Sequence, residues 1–303
     1  MFSEYYRPNA SSYKPTHQES STTIALLGDT QRTLWVEFWR EQNDAVRPHI
    51  FSRICDSRPS ALIHLGDAVA DGASDSDWMI YDSLSRCISK ASIPVFGVMG
   101  NHDYFGANDA CIRNATQRFT NLQWYRWSSC VIDSVAYILL NSNFDELTDD
   151  EIYQQSRWLD SVVRSVNMRD DVLLAVACWH HPPYTNSSVV GDDKEVQRHL
   201  LQPLRQCTKL RMIASGHAHT YEHFNIDGLH FLVSGGGGGA RQELLPVEKA
   251  RHRSIPSQRV SGNRICKFHY CTVQRKGMLL NIEMHAFDEH SMTWAVDDSW
   301  HTD

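Results

Sequence analysis

The chain has 303 residues, 42% hydrophobic, 21% charged and 10% aromatic, with a formal charge of −7 and a pI near 6.1. That length and balance describe a globular protein with a sizeable core and give no support to a surface for nucleic-acid backbone. No apolar run reaches the ~20 residues that span a bilayer, so neither nucleic acid nor membrane is expected as a partner.

In chain order, residues 1–22 are polar, with Ser, Thr, Pro and Tyr, and read as a loose tail or an edge-packing segment. From 23 to 290, strand-like and helix-like segments alternate without a dividing linker. This predicts one layered α/β domain with two sheets, followed by a C-terminal tail over 291–303. Thr23–Leu27, Ala61–Leu65, Pro94–Met99, Ala136–Leu140, Val172–Cys178 and Leu210–Ala214 are short apolar or β-rich runs, suited to strands buried on both faces.

Between them, Leu34 to about Cys55 carries apolar residues at Trp35, Phe38, Trp39, Val46 and Phe51, with Pro48 expected to kink or break a helix. Asp149–Val166 opens on acidic residues and then places Ile152, Trp158, Leu159, Val162, Val163 and Val166 on a 3.6-residue period. Lys194–Gln206 is a weaker helix. Leu229–Val233, Ile265–Val273 and Met278–His285 close the chain with strands. The eight cysteines show neither CxxC pairs nor zinc-finger spacing, and the N-terminus has no apolar stretch resembling a secretory signal. Together these point to a reducing cytoplasm.

Five polar clusters each follow an apolar run: Gly28-Asp29-Thr30-Gln31, Gly66-Asp67-Ala68, Gly100-Asn101-His102-Asp103, His180-His181-Pro182 and Gly216-His217-Ala218-His219. Asp, Asn and His hold divalent metals through oxygen and nitrogen. All five fall at C-terminal ends of predicted strands, where ligands bind in open α/β sheets. A carboxylate shared by two cations would bring them within about 4 Å, where a hydroxide between them is a strong nucleophile at neutral pH.

In this order the clusters resemble the calcineurin-like metallophosphoesterase superfamily, whose pattern runs D-x-H, GD, GNH[DE], H, GHxH. More closely, they resemble its purple-acid-phosphatase-like branch. The resemblance spans about Ile24 to Met284, and includes HHPPY at His180–Tyr184, GHAHTYEH at Gly216–His223 and LVSGGGGGA at Leu232–Ala240. It implies a four-layer α/β/β/α sandwich of two mixed β-sheets flanked by helices, with two divalent metal ions (Mn, Fe, Mg or Zn) at one sheet edge. On the matching positions, Asp29, Gln31, Asp67 and His219 would take one metal. Asp67, Asn101, His180 and His217 would take the other, and His102 would protonate the departing oxygen.

The implied activity is hydrolysis of a phosphomonoester, phosphodiester or pyrophosphate bond in a small molecule, by in-line attack of a metal-bridging hydroxide. A phosphodiesterase or nucleotide hydrolase is the narrower alternative. A weakened binding or scaffold protein on the same fold, as in a retromer subunit of the superfamily, is the alternative of another class.

The chain departs from the pattern in two places. Gln31 stands where the family usually has histidine, and its carbonyl oxygen would coordinate more weakly than an imidazole; otherwise it serves as a supporting hydrogen bonder. Ala70 stands where purple acid phosphatases carry tyrosine, so no iron–tyrosinate colour is expected. Asp71, one residue later, is an uncertain orienting partner for His102. Of His180 and His181, the H-x-P pattern selects His180 as the ligand, leaving His181 to contact substrate or cap the loop. Asp103 reads as a structural hydrogen bonder. The glycines of 235–239 lack a following Lys-Ser/Thr and read as backbone passing close to the site, not as a phosphate loop. The polar stretch Arg241–Asn263 could serve as a lid.

Overall fold

The computed structural model describes residues 10–12, 22–34, 39–252 and 266–302. The first part of the described chain runs β1 (Ala10–Ser12), β2 (Thr23–Leu27), α1 (Arg47–Ser57), β3 (Ala61–His64), α2 (Asp75–Leu84), α3 (Arg86–Lys90), β4 (Val95–Gly97) and α4 (Asn108–Arg118). Next come β5 (Ser128–Ile132), β6 (Val135–Leu139), α5 (Asp149–Met168) and β7 (Leu174–Cys178). A helical stretch then passes through α6 (Lys194–Val196), a π turn at Gln197–Leu201 and α7 (Gln202–Leu204). The chain ends in β8 (Leu210–Ser215), β9 (Tyr221–Ile226), β10 (Leu229–Ser234), β11 (Phe268–Lys276), β12 (Leu279–Asp288) and β13 (Thr293–His301).

The strands form two mixed sheets. One has seven strands in the order β1-β5-β6-β7-β8-β10-β9, the other six in the order β13-β12-β11-β2-β3-β4. Period-two alternation distributes their side chains between layers. In β2, Ile24 and Leu26 face the second sheet while Ala25 and Leu27 face the helices. In β7, Val176 and Cys178 point between the sheets, and Ala175 and Ala177 pack under α5 with Leu159, Val162, Val163 and Val166. Three apolar layers thus separate four structural ones, giving the α/β/β/α sandwich that the family resemblance implied.

Local signals explain the helices. Thr148 caps α5 through a capping box with Glu151, and three acidic residues occupy its first turn, where the helix dipole favours them. Pro48 sits in the first turn of α1 and starts that helix instead of kinking it. The expected helix therefore begins at Arg47, not near Leu34; Trp35 and Phe38 lie outside the described residues.

The expected C-terminal tail over 291–303 needs correction, because β13 pairs antiparallel with β12 from Asp288↔Thr293 to Asn281↔His301. Its sequence TWAVDDSWH shows little apolar alternation because an edge strand leaves much of its surface to solvent. Within 1–22, Ala10–Ser12 pairs parallel with β5, as an edge-packing segment would, and nearly all the rest lies outside the described residues. A disulfide joins Cys55 of α1 to Cys87 of α3. Such bonds persist mainly in oxidising compartments, whereas the cysteine spacing pointed to a reducing cytoplasm. Among the described residues, no helix is long and apolar enough to cross a membrane.

Candidate metal centre

The five clusters meet where the strand ends β2, β3 and β4 of one sheet adjoin β7 and β8 of the other. The local backbone explains how. Asp29, Asp67 and His217 adopt φ of 62°, 54° and 67°, the left-handed region that non-glycine residues seldom occupy. Each follows a glycine at the end of its strand, and the sharp reversal gathers the side chains at one point. Such strain persists only where the surroundings enforce it, and it concentrates at functional sites. At Gly66, φ is +93°, and a Cβ would lie 2.6 Å from His180 Nδ1. At Gly100 it would lie 2.1 Å from Asp67 Oδ1, so neither position admits a side chain.

Two groups of ligand atoms result, each within 4.8 Å: Asp29 with Asp67 and His219, and His180 with His181 and His217. The backbone N–H of His217 donates to both carboxylate oxygens of Asp29 at 3.0 and 2.9 Å. Asp67 Oδ1 accepts the N–H of His102 at 2.8 Å, while its Oδ2 lies 3.3 Å from His180 Nε2. His180 Nδ1 donates to the Leu65 carbonyl at 2.9 Å, and His219 Nδ1 to the Ala240 carbonyl at 2.6 Å. Both rings therefore turn Nε2 inward. Asn101 Oδ1 sits 3.1 Å from His180 Nε2.

His102 Nδ1 is 3.0 Å from the Ala70 carbonyl, which orients the imidazole. Asp71 instead accepts the N–H of Ala73 at 2.9 Å. The backbone of Ala70 thus does the work for which the sequence offered Asp71, and no side-chain pattern could have revealed it. Asp103 accepts N–H bonds from Asp67, Ala68 and Gly100, each at 2.9 Å, tying two of the clusters together as a structural group. The glycine run passes close to the site as expected: Gly239 N–H donates to Asp29 O at 2.7 Å, and Gly237 N–H to Gly28 O at 2.8 Å.

Residues 22–221 match the sequence profile of the family described as calcineurin-like phosphoesterase. The chain belongs to that family. Its fold is similar to that of GAP50, the anchor in the inner membrane complex of Plasmodium, with a TM-score of 0.67 at 15% identity over 93% of this chain and 89% of that one. It is also similar to a dimetal phosphatase from Danio rerio, with a TM-score of 0.61 at 12% identity over 93% and 98%. None of the curated proteins compared with the chain matches it significantly in sequence.

The calcineurin-like phosphoesterase family implies divalent metal cofactors, and the donor set fits them. Carboxylate and amide oxygens with imidazole nitrogens are what Mn, Fe, Mg and Zn accept. The inward Nε2 atoms of His180 and His219, each backed by a carbonyl on Nδ1, have the arrangement of metal-bound imidazoles. Gln31 Nε2 donates to Asp67 Oδ2 at 3.2 Å and lies 3.1 Å from His219 Nε2. Its Oε1 is buried without a hydrogen-bond partner among the described residues, and turning the amide over would bring that oxygen, in place of the nitrogen, toward Asp67 and His219 to meet a cation.

Electrostatics agree. Burial pushes the Asp67 carboxyl up, but His180, His102 and His217 outweigh it and hold the group well below its ordinary value. Burial pushes His180 down, and Asp67 and Asp29 reverse this and raise it well above the ordinary imidazole range. His217 is driven well down by burial and then by His180 and His181. A site that concentrates carboxylates and imidazoles this tightly exchanges protons for metal on loading.

Sequence reasoning left His181 outside the metal set, yet its ring centroid stands 4.5 Å from that of His217. Both line a cavity of about 430 Å³ whose opposite wall is Val190–Glu195. Adjacent histidines carry no signal of which way each ring turns, so its place was not legible. Tyr184, Tyr221 and His223 are packing groups: Tyr184 stacks edge-on to Phe231, Tyr221 OH donates to Asp298, and His223 lies flat on Trp300. Of the expected lid, residues 241–252 are described and 253–263 are not. Leu244 bridges to Ser187, and Arg251 donates to the carbonyls of Thr185, Ser187 and Val190.

Proposed function

We propose that the protein is a dinuclear, metal-dependent phosphoesterase that hydrolyses a phosphomonoester, phosphodiester or pyrophosphate bond in a small molecule. The observation that carries this reading is the convergence of two ligand groups on one strand-end cleft, with Asp67 of one group 3.3 Å from His180 of the other and His102 at the side. Asp29, Gln31, Asp67 and His219 would hold one cation, and Asp67, Asn101, His180 and His217 the other. When bound, such a pair activates water at neutral pH and neutralises charge on the phosphoryl oxygens.

The chain's own residues do the rest. Asp67 turns Oδ1 to the His102 backbone and Oδ2 toward Gln31 and His180, so one carboxylate fixes the distance between both halves. His102 keeps Nδ1 on the Ala70 carbonyl, which leaves Nε2 to hand a proton to the leaving oxygen. Asp103 holds the strand ends of Asp67 and Gly100 in register, so these groups need no reordering during reaction.

The test is hydrolysis of a nitrophenyl phosphomonoester and the matching diester by metal-stripped protein titrated with Mn²⁺, Mg²⁺, Zn²⁺ and Fe²⁺. Asn101→Ala and His102→Ala are assayed alongside. Metal-dependent turnover that both variants lose supports the reading, and the ratio of the two esters chooses between monoesterase and diesterase. Stoichiometric metal binding without turnover on any phosphoester would favour the second reading, a scaffold protein. Gln31 in the place of a histidine ligand is the observation on its side.

A further inference from the structure

We infer that Arg251 and His252 are positioning residues for an anionic substrate: they fix the far wall of the cavity that His181 and His217 line, and they offset its Asp192 carboxylate. This deepens the phosphoesterase reading above and rests on it. The argument begins with the wall. Residues 182–193 contain no helix and no strand beyond a single bridge at Ser187, yet 190–195 line the cavity. Irregular backbone has no ladder to satisfy its polar groups, so their partners must come from elsewhere.

They come from two adjacent residues distant in sequence. Arg251 donates through Nε to the Thr185 carbonyl at 2.9 Å, and through Nη2 to the carbonyls of Ser187 and Val190 at 2.7 and 2.9 Å. One planar guanidinium thus ties three turns of the wall together. Asn186 and the His252 backbone bond reciprocally, Nδ2 to the carbonyl at 2.7 Å and N–H to Oδ1 at 2.8 Å. The His252 ring packs edge-on against Tyr184 and Phe224.

Charge is the second part. The wall of a cavity meant for a phosphoester carries three carboxylates, Asp192, Asp193 and Glu195. Two are engaged by their own helical turn: Asp193 accepts the Val196 N–H at 2.9 Å, and Glu195 pairs with Arg198. Asp192 is 13% exposed, accepts the Thr185 N–H at 3.0 Å and draws on the distant pair for more. His252 Nε2–H donates to its two oxygens at 3.0 and 2.9 Å, and Arg251 Nε stands 4.0 Å from Oδ1. Lys194 Nζ lies 3.8 Å away, but its side chain is 73% exposed, where an ion pair is worth little. Without Arg251 and His252, a poorly screened carboxylate would confront each incoming phosphate, and like charges so placed repel. Repulsion scales with the product of the charges, so a dianion suffers about twice the penalty of a monoanion.

The test uses Arg251→Ala, His252→Ala and the double variant His252→Ala with Asp192→Asn, each in the full chain. The probes are phenylphosphonate, a dianion above its second ionisation, and its methyl ester, a monoanion of nearly the same shape. Their binding to metal-loaded protein is measured by calorimetry, with metal stoichiometry and nitrophenyl ester kinetics alongside. Each single variant should weaken the dianion about 10-fold and the monoanion about threefold, with wild-type metal content. KM should rise by more than kcat falls. In the double variant the two probes should be weakened to the same small extent, because the repelling charge is gone.

Unchanged affinity in the single variants would overturn the inference. Equal weakening of both probes, or a loss of metal, would reduce the pair to a general structural role, with the same result. Wild-type protein that hydrolyses no phosphoester with any metal would instead remove the underlying reading, and the inference with it. If Arg251→Ala does not fold, His252→Ala and the double variant decide.

Discussion

The cleft has two halves made of the same residue types, and they differ in depth. Asp29, Asp67 and His219 are buried, with His219 6% exposed and the two carboxylates 0–1%. His181 and His217 are only partly buried and open onto the 430 Å³ cavity. In the closed half, polar atoms bond to one another and to the strand-end backbone: Gln31 to Asp67, His219 to Ala240, His217 N–H to Asp29. In the open half, His181 is anchored from behind by Ser142 and faces outward. Buried, mutually bonded charge is arranged to hold cations, and a partly open imidazole face is arranged to meet a ligand. On the proposed reading, the closed half should therefore set the affinity of one cation, and the open half that of the other together with substrate turnover.

Asp67 belongs to both halves, and its loss should erase the distinction between them. Asp67→Ala is expected to lose metal from both sites and to lower activity beyond the ~10²–10³-fold that one positioned donor is worth. Metal analysis with a nitrophenyl phosphate assay checks this, and retention of two metals would show that the halves are independent. His102→Ala probes the open side alone. We expect a fall in kcat of about 10²–10⁴ with metal content unchanged, because on the proposed reading the imidazole transfers a proton and holds no cation. A loss of metal in that variant would move His102 into the closed half's task.

Much of this geometry could be read in the sequence, and the limits have physical causes. Strand ends were legible because apolar runs stop at or just before the five polar clusters, so Leu27, Leu65, Met99, Cys178 and Ala214 all mark the same edge of the sandwich. A two-sheet layered domain followed from the run of strands and helices, whereas the four-layer order came only from the family resemblance. Less legible was anything determined by the backbone. The Ala70 carbonyl behind His102, the carbonyls behind His180 and His219, and the hydroxyl of Ser142 behind His181 leave no residue-type pattern. The strand Thr293–His301 escaped notice because an edge strand needs no alternating apolar face. The pairing of Cys55 with Cys87 was invisible because α1 and α3 become neighbours only in the folded chain.

Gln31 sharpens the comparison from within the closed half. Its amide nitrogen already stands between Asp67 Oδ2 and His219 Nε2, where an imidazole nitrogen would complete a histidine-bearing site. Gln31→His should tighten that cation by at least the ~10-fold that losing a group supporting a ligand costs, and shift preference toward Zn²⁺. KM should change little, because the open half is untouched. Competitive metal titration with steady-state kinetics reads both quantities. An unchanged affinity with an altered KM would reverse the assignment of tasks.

The smallest effect expected on activity lies behind the wall of the open half. Glu222 of β9 is 2% exposed, accepts the Thr185 hydroxyl at 2.5 Å through Oε1, and accepts the Asn186 N–H at 2.7 Å through Oε2. Burial raises its carboxyl from 4.5 to about 7, against the lowering pull of Thr185, Asn186, Thr220 and Arg251. The folded protein therefore keeps this proton after the unfolded chain has lost it. The stabilisation is complete below about pH 4.5 and disappears as pH rises to about 7, since stability falls wherever the unfolded state binds fewer protons. Glu222→Gln cannot titrate. Relative to that variant, the wild type should lose on the order of 3 kcal/mol across this window, at about 1.4 kcal/mol for each tenfold difference in proton affinity between the folded and unfolded chains. Urea unfolding of both proteins across the same pH range measures the difference, and a constant gap would mean that the carboxyl is not buried as described. Turnover at neutral pH should be nearly the same in both, because Glu222 holds Thr185 and Asn186, which do not line the cavity, and touches neither group of metal-binding atoms.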